Sequence, residues 1–386
     1  MMISNPQTKI RIHADHVGSL LRPHKLKETR AQLWEQGVLA RFGQETQPAE
    51  LSTIEDAEIE EAVRFQEEIG LPVVTDGEFR RAYWHYDFMV GLTGFDLEER
   101  EPESKAGTFA LSVVPVISDL LSFPHDHSMI GHFEFLASVA RNTPKISIPG
   151  PSSCHFRTAK ADIKPTRYRD TEVLFDNIAK TYAQAVDAFY NAGCRYLQMD
   201  DIFFAYLCDP KVREEKKAGG EDPDWLIEKY AWMMNQAIKD RPADMTIAMH
   251  LCRGNFQSNW VAEGAYDPVA DAIFNQTDVD IYFLEYDSDR AGGLEPLKLL
   301  PKGQKQALLG FITTKSAELE SIDELSQKFD EASKYVDINQ LGIAPQCGFA
   351  STEEGNKITA DDQKRKLELV VKTAEKIWGD VKVPSM

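Results

Sequence analysis

No run of 18 or more apolar residues occurs anywhere in the 386-residue chain, so no membrane-spanning helix is expected. The opening "MMISNPQTKIRIHADH" lacks the apolar core of a secretory leader, and the expected location is the cytoplasm. Positive charge is in deficit: 43 Lys and Arg against 62 Asp and Glu leave a net charge of −19. Nucleic acid and anionic membrane both require a positive surface, so neither is an expected partner. Cysteine is scarce, with five widely scattered residues, Cys154, Cys194, Cys208, Cys252 and Cys347. An odd, dispersed set in a cytosolic chain is no disulfide framework; such cysteines are free thiols, metal ligands or catalytic groups. Repeats, low-complexity tracts and Pro-, Gly- or Ser-rich linkers are also missing. One elaborated domain over residues 1–386 is therefore expected rather than two.

What remains is ordinary globular material, 42% hydrophobic and 27% charged, enough for a large core. Short apolar runs alternate with long amphipathic segments, which predicts βα units. The strand candidates are "HADHVGS" near residue 16, "LPVVTDGE" near 74, "KISIPGPS" near 148 and "RYLQMDD" near 198, then "MTIAMHLC" near 248, "DIYFLEYD" near 283, "ALLGFITT" near 310 and "INQLGIAP" near 342. Helical spacing predicts helices over 53–69, 170–192, 223–239 and 353–379. Eight strands with intervening helices predict an α/β fold, a (β/α)8 TIM barrel. The gap between the second and third strands is too long for one helix. Residues 79–145 therefore read as an insertion over the barrel mouth, a hairpin with a helix. Residues 15–50 read as an N-terminal extension that adds a helix.

Active sites of such barrels lie at the C-terminal strand ends. In chain order those ends carry Val17-Gly18-Ser19, Asp76-Gly77-Glu78, Pro149 to Ser152, Asp200-Asp201, His250-Leu251-Cys252, Glu285, Thr313 to Lys315 and Cys347-Gly348. Alternate strand residues face one side, so His250 and Cys252 can both point inward. Glu285 and Cys347 would arrive from neighbouring strands. Taken singly, His250 and Cys252 read as a core histidine beside a buried cysteine, and Cys347 as a small buried hydrophobe. Together, one nitrogen, two sulfurs and one carboxylate suit Zn2+.

The chemistry of that set favours thiol alkylation over hydrolysis. A free thiol with pKa ~8.5 is mostly protonated at neutral pH. Zinc strips the proton and presents a thiolate, and two cysteinate ligands keep a bound substrate sulfur electron-rich. An amino-acid thiol also needs its ammonium and carboxylate fixed. Glu78 and Asp200 could take the ammonium, and backbone N–H groups near Gly18 and Ser19 the carboxylate. The competing readings are helix N-capping for Asp200 and Asp201, and an ion pair to Arg80 or Arg81 for Glu78.

"HADHVGSLLRP", "VVTDGEFRR", "LQMDD", "HLCRGNF", the Glu in "FLEYDS" and "PQCGF" together resemble the catalytic half of cobalamin-independent methionine synthase, and its short single-barrel relatives most. The likeness spans roughly residues 13–375. It implies that His250, Cys252, Glu285 and Cys347 are zinc ligands, with Glu285 yielding its place when the substrate thiol arrives. It implies that Val17, Ser19, Glu78 and Asp200 hold the backbone of homocysteine. The expected activity is zinc-dependent methylation of homocysteine, or a close thiol, to give methionine.

Two departures from the family's pattern bear on the methyl donor. The chain has no room for the additional N-terminal barrel that helps hold polyglutamylated methyltetrahydrofolate. Where the family's proton-donating histidine belongs, this chain reads "GFITTKS", placing Lys315 or a threonine there. A lysine with pKa ~10.4 is a weaker acid than histidine, whereas a corrinoid donor needs no proton on departure. Folate and corrinoid thus both stand as donors, and Lys315 reads as an acid, an anion-binding group or a solvated helix-start residue. A homodimer is the self-assembly this reading admits.

Other candidates are His16, facing a ligand or packed; His125-Asp126-His127, a metal motif or a polar loop; and Trp84, His85, Tyr86 and Phe88, a lid or core packing. Two other activities compete on the same barrel. An epoxyalkane–coenzyme M transferase would use a sulfonated thiol with no need of Glu78 and Asp200. A decarboxylase like that for uroporphyrinogen would need no metal, and a closed structural zinc would not respond to homocysteine.

Overall fold

The computed structural model describes residues 11–38, 48–100 and 113–381. Ten strands lie among the described residues: β1 (Val73–Val74), β2 (Thr93–Glu99), β3 (Val113–Ser122), β4 (Thr143–Pro144), β5 (Ile146–Pro149), β6 (Tyr196–Asp200), β7 (Thr246–Leu251), β8 (Ile281–Glu285), β9 (Gln306–Ile312) and β10 (Leu341–Pro345). Six of them form one parallel sheet in the order β10-β9-β8-β7-β6-β5. Just before β5, β4 pairs parallel with β1. On the far side, Ala14 makes a parallel bridge to Ile343 of β10.

The β5, β6 and β7–β10 segments are buried along nearly their whole length. Their continuous apolar runs follow from that, because a parallel sheet is covered on both faces. One small cluster collects side chains from β6 to β10 (Tyr196, Ala248, Phe283, Leu308 and Ala344 among them) together with Ile12, Val17 and Val73. A much larger cluster joins the other strand face to the helices.

Helices connect the strands where the periodicity places them. Thr171–Asn191 buries Leu174, Phe175, Ile178, Tyr182 and Phe189 along one stripe, and each such apolar side chain contributes roughly 1.5–3 kcal/mol. Its start is fixed by Asp170, whose carboxylate accepts from the Glu172 N–H. Pro223–Ile238 begins the same way on Asp222. The last helix is Ala360–Trp378, opened by a reciprocal Thr359–Asp362 capping box. It starts later than the predicted 353, because that box sets the first turn and residues 353–359 stay non-helical.

Between β1 and β4 the chain forms an antiparallel hairpin of β2 and β3, followed by the helix Ser128–Val139. A helix over His24–Glu35 precedes β1. One expected strand is corrected: "HADHVGS" is extended only around Ala14. From His16 to Ser19 its carbonyls accept from side chains and distant loops, so no ladder continues there. Lys145 Nζ donates to His16 O, Gln198 to Val17 O, Thr75 to Gly18 O and Phe349 N–H to Ser19 O. Among the described residues, no helix is long and apolar enough to cross a membrane.

Candidate metal centre

β7 delivers His250, and Cys252 follows one residue beyond the strand end. Cys347 lies two residues past the end of β10. All three are buried, and their ligand atoms lie within 4.8 Å of one another. The Cys347 and Cys252 sulfurs are 3.7 Å apart. Tetrahedral zinc with Zn–S bonds of ~2.3 Å needs a sulfur–sulfur edge of about 3.8 Å. The three donors therefore fit that ion.

The loop holding Cys347 is fastened on both sides. Gln346 N–H donates to Ile312 O, and the Gln346 side chain accepts from Thr314 N–H and its hydroxyl. Asn255 Nδ2 reaches across from the β7 side to Gly348 O at 2.9 Å. Sulfurs 95 residues apart in sequence are thus set by backbone contacts rather than by long, mobile side chains.

Protonation here is set by neighbours in low-dielectric surroundings. Burial opposes charge on His250, yet Asp200 and Cys347 outweigh it and raise the imidazole to about 10. Its Nδ1 is 3.3 Å from Asp200 Oδ1. The sulfur–sulfur contact with Cys252 pulls Cys347 well below the ordinary thiol range; burial opposes this, and His250 adds to it. Cys252 moves the other way, through the same Cys347 contact and then burial. The pocket already favours a deprotonated sulfur.

Glu285, at the end of β8, lies outside this three-donor cluster. Its Oε2 accepts from the Arg253 N–H at 2.7 Å, and its Oε1 from Arg290 Nη2 at 2.5 Å. Lys315 Nζ stands 3.7 Å from Glu285 Oε1 and 3.7 Å from Asp287 Oδ2. This Nζ makes no hydrogen bond among the described residues. Lys315 is therefore turned toward the site, not into solvent.

The remaining four candidates gather beside the centre. Gln198 Nε2 donates both to Val17 O at 2.7 Å and to Asp200 Oδ1 at 2.8 Å. That amide ties the first segment to β6. The Ser19 hydroxyl accepts from Ala350 N–H at 3.2 Å, just past the Cys347 loop. A Cβ on Gly18 would sit 2.5 Å from Glu78 Oε1, so only glycine lets that carboxylate approach. Glu78 itself has φ of 58°, a strained region for a non-glycine residue. It is held there by Asp76, which accepts from its N–H, and by Arg22, which donates to its carbonyl. Burial raises the Glu78 carboxyl; Arg81 opposes this and Asp200 reinforces it. The competing reading of Glu78 is also met, by its ion pair with Arg81.

Several looser expectations resolve. Asp200 and Asp201 cap no helix: the next one, Phe203–Tyr206, has no side-chain cap, and Asp201 instead accepts from the Ser152 hydroxyl. His16 is packed, 1% exposed. His127 caps the helix Ser128–Val139 while His125 is solvated, so the His-Asp-His run gathers no ligand set. Phe88 packs with Phe123, His127 and Tyr182 as core. Sequence reasoning missed Gln198, Arg253 and Arg290. Only Gln198 carried a signal, because it shares the Asp200 face of β6 at a spacing of two.

A family model described as "Cobalamin-independent synthase, Catalytic domain" matches residues 23–376. The Bacillus subtilis protein YxjH is 42% identical over 380 residues, covering 96% of each chain. A methionine synthase of Sulfolobus acidocaldarius is 24% identical, covering 86% of this chain and 84% of that one. A Listeria monocytogenes structure, provisionally described as a vitamin-B12 independent methionine synthase, superposes with a TM-score of 0.75 at 36% identity. It covers 96% of this chain and 99% of that one. With its parallel sheet and its buried His-Cys-Cys cluster, the chain belongs to the cobalamin-independent methionine synthase catalytic-domain family, a family of methyltransferases.

Proposed function

We propose that this chain is a zinc-dependent S-methyltransferase that converts homocysteine to methionine on a single (β/α)8 barrel. One observation carries the reading: a nitrogen and two sulfurs from β7 and the loop after β10 converge within 4.8 Å of one another. The barrel part rests on the six-stranded sheet, the β1–β4 pair and the Ala14 bridge, with the cluster from Ile12 to Ala344 as its filled interior. In that arrangement residues 79–145 are an insertion, and the strand ends form one rim.

His250, Cys252 and Cys347 would hold the ion, leaving a fourth place open as in catalytic zinc sites. Glu285, held by Arg253 and Arg290 beside the three donors, would be the fourth residue able to hold the ion. Zinc, when bound, supplies the Lewis acidity that keeps a thiol deprotonated at neutral pH. The chain's own residues supply the rest. Glu78 and Asp200 face the substrate ammonium, and Val17 and Ser19 border the rest of the homocysteine backbone. Burial excludes water, so the sulfur lone pair meets the methyl carbon rather than solvent. The new S–CH3 bond forms as the bond to the donor breaks, and the donor's leaving atom keeps the electron pair. Lys315 Nζ is the nearest candidate to give a proton to a leaving nitrogen.

The test combines zinc analysis with a donor panel: folate monoglutamate, folate polyglutamate, methylcobalamin and S-methylmethionine, each with homocysteine. Cys252→Ser and Cys347→Ser should lose both zinc and activity. Full activity in a verified metal-free protein refutes the reading.

A further inference from the structure

A wall of rings flanks the cluster, and two polar side chains in it have no hydrogen-bond partner among the described residues. Trp84 packs on His85 with ring centres 4.6 Å apart, and on Phe203 at 6.4 Å. Phe203 stacks on Phe156 at 4.3 Å and meets Tyr206 edge-on at 5.5 Å. The Arg157 guanidinium lies 5.3 Å from the centre of the Phe203 ring. Its Nε is buried without a hydrogen bond, and no carboxylate pairs with it among the described residues. His85 is 4% exposed, and neither ring nitrogen has a partner. Burial, then the charges of Arg157 and Arg81, keep this imidazole neutral. Buried polar groups are almost always satisfied. Two unsatisfied side chains on one ring wall, one of them a cation, describe a site that awaits an acceptor.

The wall reaches the sulfurs by two routes. Trp84 N–H donates to Ser351 O at 3.1 Å, and the Ser351 hydroxyl is 3.7 Å from Cys347 Sγ. On the other side the Tyr206 hydroxyl abuts Gly254, two residues after Cys252, where an added Cβ would fall 3.0 Å from it. Arg81 is already answered by Glu78, whereas Arg157 is not.

We propose that Arg157 and His85 form a subsite for a carboxylate carried by one of the two substrates, with the Trp84–Phe203–Phe156 rings as a flat surface for the part next to it. This rests on the methyl-transfer reading. A guanidinium offers paired donors in carboxylate geometry, and a neutral imidazole adds one N–H. The carboxylate belongs either to the amino-acid thiol or to an acidic arm of the methyl donor. The chemistry is shared, and binding separates the two.

The experiment titrates the zinc-loaded protein calorimetrically with L-homocysteine alone and with 5-methyltetrahydrofolate monoglutamate alone. Arg157→Gln should weaken one ligand by roughly tenfold or more, the loss expected for a charge-assisted pair, and leave the other within twofold. Arg157→Lys should recover part of that loss, and His85→Asn should weaken the same ligand. The affected ligand identifies the carboxylate's source. Unchanged affinities for both ligands, equal losses on both, or a His85→Asn loss confined to the other ligand would overturn the subsite. A wild-type protein that binds neither ligand overturns the methyl-transfer reading and the subsite with it. One that methylates homocysteine while Arg157→Gln binds both ligands normally overturns the subsite alone.

Discussion

Asp201 shows how one buried carboxyl ties stability to pH. It is fully buried and accepts from the Ser152 hydroxyl through Oδ1, while Oδ2 has no partner. Burial first, and the adjacent Asp200 in addition, raise it from the usual carboxylate range to about 7. The folded protein therefore holds a proton that the unfolded chain releases near pH ~4. Sign follows from linkage: the contribution is complete below the unfolded pKa and is lost as pH rises through the folded one. Asp201→Asn mimics the protonated form permanently. Its stability relative to the native protein should rise between pH ~4 and ~7 by of order 1 kcal/mol per pH unit. Urea unfolding of both proteins at several pH values measures this, and parallel pH curves would dispose of it. The same scale marks where the sequence stops informing. That Asp201 lies at a strand end is readable from "LQMDD"; that it meets a serine hydroxyl and no cation is not. Likewise Glu285 is readable as a strand-end acid, but its hold on Arg290 depends on how the chain turns back after β8.

At the scale of elements, the strand ends coincide because the registers do. Asp200 is level with His250, and Glu285 with Gly310. Gly310 in β9 is where this alignment needs the least bulk. A Cβ there would fall 2.6 Å from Gln346 Cα and 2.8 Å from Leu284 O, both backbone atoms that cannot swing aside. Gly310→Ala should therefore push the Gln346-Cys347 segment away from β8. The expected cost is about 1–3 kcal/mol in stability, as for other overpacked cores, with weaker zinc retention alongside. Thermal unfolding and metal analysis of the variant check both; a variant as stable and as zinc-replete as the native protein would show that the loop has slack. β5, β6 and β7–β10 are legible in sequence as apolar runs because parallel strands are covered on both faces. The first segment misleads. "HADHVGS" has strand-like alternation, but its carbonyls are claimed by Lys145, Gln198, Thr75 and Phe349. Periodicity reports burial, not where a backbone bonds. The His-x-Cys pair is the opposite case: a period of two and a strand end suffice to aim both side chains.

Across the whole molecule, the cluster joins the middle of the chain to its last third. Cys252 follows β7 and Cys347 follows β10, and between them lie β8, β9 and the helix Ile322–Ala332. An ion held by both ends acts as a cross-link on the folded state alone, since the unfolded chain has no such site. Saturation at a thousand times the dissociation constant adds ~4 kcal/mol of apparent stability by mass action. For a chain of this size each kcal/mol moves the midpoint by about 1–2 °C. Stripping the metal with a chelator should therefore lower the thermal midpoint by several degrees, and added zinc should restore it. Cys347→Ser should start at the lower midpoint and respond weakly to either treatment, because one sulfur of the bridging pair is gone. A native protein whose midpoint ignores both chelator and zinc, with metal loss verified by analysis, would mean that His250, Cys252 and Cys347 meet for packing rather than for coordination.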